Sequence, residues 1–347
     1  MYNAVTGETI NYTYDSLNRL LTASGSGWGQ QYGFDSFGNL LSKTVTSGSG
    51  PSMSVSVNPA TNQIEAVDGY TYDANGNMSL ASAGLTYDVE NHVSIANSAG
   101  SNITYAYDSQ NRRVWSWPGS EDLLGNTIGY TLNMYSPTGQ KLGAYKLNPA
   151  INGNFEPFMI VALVSSDQFF GSRRLAVMDQ LGSVGTYYPW GENRGGTNPQ
   201  DTWSFGTYWT DSVTGLDYAN NRYYFNSLGR FITPDPYNSS SKPSNPQSWN
   251  RYNYAGNDPI NNNEPTGLDE GPPTLVCTIG AGVFYGRDLL RIPQFHYLFT
   301  TRRVLRALRH FCRDRCRRGG SAGMALDMDD HQSSSQPTDR GTRGPGS

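Results

Sequence analysis

An aromatic followed by aspartate, a short polar turn and an apolar residue recurs along the first third of this 347-residue chain. It reads Tyr14-Asp15-Ser16-Leu17-Asn18-Arg19-Leu20, then Phe34-Asp35-Ser36-Phe37-Gly38-Asn39-Leu40 and Tyr72-Asp73-Ala74-Asn75-Gly76-Asn77-Met78. It returns as Tyr87-Asp88-Val89-Glu90-Asn91-His92-Val93 and as Tyr107-Asp108-Ser109-Gln110-Asn111-Arg112-Arg113-Val114. The aromatics lie 20, 38, 15 and 20 residues apart. A repeat of this size is one supersecondary unit that cannot bury its own apolar face, so copies must pack side by side.

Each unit reads as a β-hairpin. Runs such as Ile10–Tyr14 and Ile103–Tyr107 alternate with period two. Asp and Asn close turns by accepting from nearby amides, and Asn and Gly tolerate positive φ. Asn75-Gly76 and Gly38-Asn39 are hairpin-turn pairs, and the tyrosines are expected to form cross-strand ladders. On this reading the aspartates of the repeats are turn formers before they are catalysts.

Composition excludes several classes. Charged residues are 16% and aromatics 12%, with 39 Gly and 23 Tyr, which suits a turn-rich all-β protein and not a disordered one. The net charge of −4 hides an asymmetry. Residues 269–347 hold twelve arginines, no lysine and eight acids, so everything before them is acidic and unsuited to nucleic acid or anionic membranes. All three cysteines (Cys277, Cys312, Cys316) lie in that tail, so no disulfide framework supports the body. No apolar run reaches the ~18 residues of a membrane span. Met1–Tyr12 lacks the basic start and apolar core of a signal peptide and opens into a repeat, as expected of the end of a longer array or of a fragment of one.

Four regions are expected: repeats over 1–115, irregular hairpins over 116–178, a denser segment over 179–268 and a variable tail over 269–347. Residues 45–65 read as an interruption that accounts for the 38-residue interval. Tyr135-Ser136-Pro137-Thr138-Gly139-Gln140-Lys141-Leu142 reads as a degenerate further repeat, and Phe158–Ser165 as a short, fully buried strand.

Residues 179–268 carry an ordered series of motifs. These are Asp179-Gln180-Leu181-Gly182-Ser183-Val184, Tyr188-Pro189-Trp190-Gly191-Glu192, Gly215–Tyr224, Leu228-Gly229-Arg230-Phe231-Ile232-Thr233-Pro234-Asp235-Pro236, Asn250–Pro259 and Glu264-Pro265-Thr266-Gly267-Leu268. The series resembles the core domain that closes Rhs/YD-repeat proteins, the family that includes the C subunits of Tc toxins and the teneurin shells. The resemblance implies repeats wound into a hollow β-shell, a core that plugs one end, and a variable C-terminal segment, often a toxin. It implies an aspartyl-type self-cleavage after the terminal Asp-Pro-x-Gly-Leu. The fold class expected is therefore all-β, a partial β-shell of YD hairpins closed by a core plug, with a short helical or disordered tail.

Carried over by motif, Asp235 is the first candidate acid. The second falls at Glu264, where the family has Asp, and Asp258 is a further candidate because it too precedes proline. Two acids of split pKa are needed so that one activates water while the other is protonated. The expected cut lies between Leu268 and Asp269, with Arg230 as a carboxylate-orienting candidate that serves equally well as a structural partner, and Gly267 at a positive φ. Trp190, Trp203 and Trp209 suit a filled core better than a sugar site.

In the tail, Val304, Leu308 and Phe311 share one face of a basic amphipathic helix over Thr301–Arg318. Cys312 and Cys316 near His310 fall short of a four-ligand zinc site, and no metal or cofactor is expected. His296, His310 and His331 form no triad with an acid, and a degenerate or out-of-frame tail is the bland reading. The expected partners are the chain's own tail as cargo, an upstream repeat shell or secretion component, and an immunity protein; the expected location is secreted or at the cell surface. The competing reading is a non-enzymatic cell-surface structural or adhesion protein, or an inert fragment.

Overall fold

The computed structural model describes residues 1–3, 6–80, 84–98, 101–118, 130–151, 157–170, 173, 174, 176, 179, 181–196, 199–236 and 246–268. Met1–Thr278 clusters as one compact unit. The readings made for 269–347, including the helix at 301–318, the three cysteines and Asp269, lie outside the described residues.

The described chain is antiparallel β throughout, with helical geometry only in short 3-10 turns such as Ala66–Asp68 and Ala255–Asn257. β1 (Tyr2–Asn3) and β2 (Glu8–Thr9) form a ribbon. β3 (Asn11–Tyr14), β4 (Leu20–Gly25), β5 (Trp28–Phe34), β6 (Leu40–Gly48) and β7 (Met53–Ser54) form a five-stranded meander. β8 (Thr71–Tyr72) pairs with β9 (Met78–Ser79). A seven-stranded meander follows: β10 (Gly84–Tyr87), β11 (Val93–Ser98), β12 (Ser101–Tyr107), β13 (Arg113–Pro118), β14 (Tyr130–Tyr135), β15 (Lys141–Ile151) and β16 (Pro157–Ser166). β17 (Phe169–Phe170) pairs with β18 (Arg173–Arg174). The last sheet comprises β19 (Thr202–Trp203), β20 (Trp209–Thr210), β21 (Asp217–Tyr218), β22 (Tyr223–Phe225) and β23 (Arg230–Phe231).

The repeated turn has one construction. Asp15 Oδ1 accepts from the amides of Leu17 and Arg19, both at 2.9 Å, and Asp15 Oδ2 accepts from Arg19 Nε at 2.6 Å. Asp35, Asp73, Asp88 and Asp108 repeat this on the residues two and four positions on. The residue three positions on has positive φ: Asn18 60°, Gly38 76°, Gly76 85°, Asn91 66° and Asn111 62°. Only Gly and Asn hold that conformation cheaply, which is why they recur there. The residue four positions on also reaches the neighbouring turn. Arg19 Nη1 donates to Asp35 O, Asn39 Nδ2 to Asn62 Oδ1, Asn77 Nδ2 to Asn91 Oδ1, and Arg112 Nη1 to Ser136 O.

That ladder corrects the reading of 45–65 as an interruption. Asn58–Gln63 is a turn of the same ladder, one residue longer: Asn58 Oδ1 accepts from Ala60 N, and the positive φ, 58°, falls four positions on, at Asn62. It takes its place between the turns of Asp35 and Asp73 without an aromatic-aspartate pair. The degenerate repeat is present too. Ser136 stands in for aspartate, its Oγ accepting from Gln140 N, and Gly139 has φ 88°.

A register shift precedes Tyr14, Phe34 and Tyr87, so Tyr14 pairs with Leu20, Phe34 with Leu40 and Tyr87 with Val93. The paired aliphatics are buried, with Leu20 fully so, each stabilising the fold by roughly 1.5–3 kcal/mol. The same shift pairs Tyr107 with Arg113, and not with Val114 as the motif suggested, and pairs Tyr135 with Lys141. Two cations therefore occupy buried aliphatic positions. Lys141 Nζ lies 3.0 Å from the ring centroid of Trp209.

The expectation of a buried Phe158–Ser165 strand fails. β16 is the edge strand of its sheet, and Val161 and Leu163 are 60% and 57% exposed. Their β15 partners, Leu147 and Tyr145, are themselves only half-buried, so the strand runs out past the packed layer.

Both hydrophobic clusters mix repeat and later residues. One joins Leu20, Trp28, Tyr32 and Leu40 to Trp190, Phe205, Tyr224 and Tyr254. The other joins Met78, Val93 and Tyr105 to Trp209, Leu216 and Tyr223. Trp190 is fully buried. Polar clamps cross the same boundary: the fully buried Lys43 donates to Glu192 and, at 2.6 Å, to Asn226 O. Burial holds the Lys43 ammonium below its usual pKa despite that carboxylate.

Candidate functional site

The segment that ends at Leu268 is held by a tight turn. Ala219 N donates to Arg222 O and Asn221 N to Ala219 O, both within 2.9 Å, while Asn220 adopts φ 63°. The buried Arg222 leaves this turn and gathers three acceptors. Its Nη2 lies 2.9 Å from Glu264 Oε2, its Nη1 3.1 Å from Arg251 O, and its Nε donates to Gly267 O. The guanidinium carbon stands 3.6 Å over the Phe231 ring, a stacking that suits a planar, weakly hydrated cation.

Glu264 is buried. Its second carboxylate oxygen accepts from Ala255 N at 2.7 Å. Its carbonyl accepts from Tyr208 Oη at 2.7 Å and from Gly267 N at 2.9 Å. Gly267 has φ 70°, and a Cβ there would stand 2.9 Å from Ala219 O, so only glycine fits against the turn.

Asp235 is buried in the loop after β23. Its amide donates to Arg251 O at 2.8 Å, and Arg251 Nη2 donates back to Asp235 O. Asp235 and Arg222 thus share the carbonyl of Arg251, which ties the loops of Asp235 and Glu264 together through one peptide group.

Asp258 lies elsewhere. Its carboxylate accepts from Asn261 N at 3.2 Å and from Asn261 Nδ2 at 3.0 and 2.9 Å. It stands beside Tyr14, whose phenol is pushed up to about 12 by burial and then by the Asp258 charge. Arg230 pins the Asn58–Gln63 turn: its Nη2 donates to Asn62 O at 2.5 Å, with its guanidinium 4.7 Å over Tyr252. Burial lowers its pKa. The arginine that meets a candidate carboxylate is Arg222. It lies within the motif Gly215–Tyr224, where its only signal in the sequence was an arginine among aromatics and asparagines, with Asp217 the one other charge.

A further buried acid, Asp217 on β21, accepts from Thr210 Oγ1 at 2.6 Å, Ser204 Oγ at 3.1 Å and Asn226 Nδ2 at 3.2 Å. Burial raises its pKa to about 6, against those hydrogen bonds. Among the described residues no three His, Cys, Asp or Glu side chains gather to hold a metal ion, and no helix is long and apolar enough to cross a membrane.

Residues 2–124 match the Teneurin YD-shell family model. An uncharacterised Escherichia coli (strain K12) protein, YlbH, is 32% identical over 108 residues, which cover 29% of this chain and 43% of that protein. The crystal structure of TcdB2-TccC3 without its hypervariable C-terminal region superposes with a TM-score of 0.51 at 16% identity, over 75% of this chain and 15% of that one. The Photorhabdus luminescens Tc holotoxin pore with a TccC3 point variant gives 0.50 at 17% identity, over 79% and 16%. The chain thus spans under half of its curated relative and about a sixth of these solved chains. The turn that recurs from Asp15 to Asp108 lies within the stretch that matches the YD-shell model, and the chain shares its fold with the Tc toxin structures on which it superposes.

Proposed function

We propose that this chain is the closing part of a shell that encloses and presents the segment after Leu268, and that Asp235 and Glu264 cut the bond between Leu268 and Asp269. The observation that carries the reading is the Arg222 site, where Glu264, Gly267 and the peptide group shared with Asp235 meet.

In the proposed step one carboxylate takes a proton from water as its oxygen adds to the Leu268 carbonyl carbon. The other carboxyl protonates the Asp269 nitrogen as the C–N bond breaks. Glu264, bonded to Arg222, suits the role of base, which leaves Asp235 the role of acid. Within this reading the tail is cargo, an immunity protein guards the producing cell, and an upstream repeat wall or secretion component supplies the rest of the shell. The location is extracellular.

One observation favours a purely structural role instead. Both Glu264 oxygens are engaged, by Arg222 and by Ala255 N, as in a staple that only closes the core. The intact mass of the purified chain separates the two readings. A product ending at Leu268 that disappears in Asp235→Asn and Glu264→Gln supports cleavage. An uncut wild-type chain overturns it and leaves the non-enzymatic shell.

A further inference from the structure

The four carbonyls that lead to Leu268 are each taken by a hydrogen-bond donor. Glu264 O accepts from Tyr208 Oη at 2.7 Å. Pro265 O accepts from Asn220 Nδ2 at 3.4 Å. Thr266 O accepts from Asn221 twice, at 3.2 Å from its amide and 3.0 Å from Nδ2. Gly267 O accepts from Arg222 Nε. Three consecutive residues thus read three consecutive carbonyls, in order.

The geometry of the turn makes this run possible. Asn220 at φ 63° and the Asn221-to-Ala219 hydrogen bond fold the chain tightly enough for neighbouring side chains to serve one strand of acceptors. A strand alternates its side chains between faces and offers no such row. The contact side of the bound segment is bare at Gly267, where a Cβ would meet Ala219 O at 2.9 Å and Ala219 Cβ at 3.3 Å. Recognition therefore falls on the backbone of 265–267, and only Gly267 is specified by its side chain, or lack of one.

We infer that Asn220-Asn221-Arg222 is a backbone-reading clamp that fixes where the chain leaves the core, and so which peptide bond is presented, whatever sequence follows Leu268. The clamp gives the proposed cleavage its register and in that respect rests on the reading above, but its hold on 264–267 does not require cleavage.

The test is limited proteolysis of the full chain with a protease of broad specificity, read by mass spectrometry beside the self-generated product. In the wild type, protection ends at Leu268. Asn221→Ala removes a half-buried side chain, leaves the Arg222–Glu264 pair in place, and should fold with an unchanged thermal transition. It should speed cutting within 265–268 by about 2- to 12-fold, the equivalent of one lost hydrogen bond, and any self-cut should spread to neighbouring bonds. Asn221→Gln, which keeps the donor, should recover part of the protection. Gly267→Ala should release the segment outright. If the protected boundary and cut position stay unchanged in both Asn221→Ala and Gly267→Ala, the clamp is overturned. If the boundary moves while the wild type never cuts itself, the clamp stands and the cleavage reading fails.

Discussion

Arg113 Nη1 lies 2.5 Å from Asp211 Oδ2, joining the strand after the Asp108 turn to the loop after β20 inside the protein. Tyrosines surround the pair. Tyr223 Oη accepts from Arg113 Nη1 at 2.9 Å, Tyr105 Oη donates to Asp211, and the Tyr105 and Tyr218 rings flank the guanidinium at 4.8 Å. Arg113→Ala would strand the Asp211 charge in the core and should cost about 3–5 kcal/mol. Arg113→Met with Asp211→Asn, which removes both charges, should recover most of it. Urea midpoints of the two variants check this, and a single variant within about 1 kcal/mol of wild type would refute the clamp.

Asp217 predicts a pH dependence. Its folded pKa, about 6, lies above the ordinary 3.8. The native state therefore holds this proton more tightly than the unfolded chain. The group's contribution is full below pH 4, declines as pH rises, and is gone above pH 6. A shift of about two units corresponds to on the order of 3 kcal/mol. Asp217→Asn removes this dependence, so its stability relative to wild type should climb between pH 4 and pH 6 and then level off. A flat difference across that window would refute the assignment. Glu8 acts oppositely and elsewhere: Arg194 holds it down to about 2, so its contribution is lost only as pH falls below 4.5 toward 2.

The repeated aspartates should differ in worth by what their turns touch. Asp35 Oδ2 accepts from Asn39, and the buried Asn39 also meets Asn62 and Asn250. Asp35→Ala would leave the Asn39 amide short of a partner in the interior, a loss of about 2–4 kcal/mol. Asp88 caps a more exposed turn through His92, and Asp88→Ala should cost about 1–2 kcal/mol. Paired thermal melts decide; equal losses would mean the links between turns contribute nothing.

The turn was legible because a carboxylate that accepts two amides, followed by a residue at positive φ, leaves a chemical trace: Asp, then Gly or Asn three positions on. Asn58–Gln63 escaped because Asn58 can accept as Asp does without the aromatic that flags the repeat. That Arg113 stands opposite Tyr107 was not legible in the motif, because the register shift beside Tyr107 is a backbone event with no composition of its own. Leu228–Pro236 and Glu264–Leu268 were found as motifs. Their meeting through Arg222 and the Arg251 carbonyl depends on loops that fold from distant residues, and no local pattern encodes it. Likewise an apolar run such as Phe158–Ser165 states that a strand wants cover, not whether its neighbours supply it.

That run supports the last prediction. Ile160, Val161, Leu163 and Val164 are all at least 43% exposed, on both faces of β16, an edge strand with no charge between Pro157 and Ser166. An uncharged apolar edge invites pairing with other chains. Val161 and Leu163 pair with Leu147 and Tyr145 and so share one face. Val161→Lys with Leu163→Lys would place two charges there without disturbing a packed layer. The variant should scatter less light on concentration while its stability stays within about 0.5 kcal/mol of wild type. A melting temperature lowered by many degrees would mean that the face is covered in solution, and unchanged scattering would mean that β16 is not the edge through which chains associate.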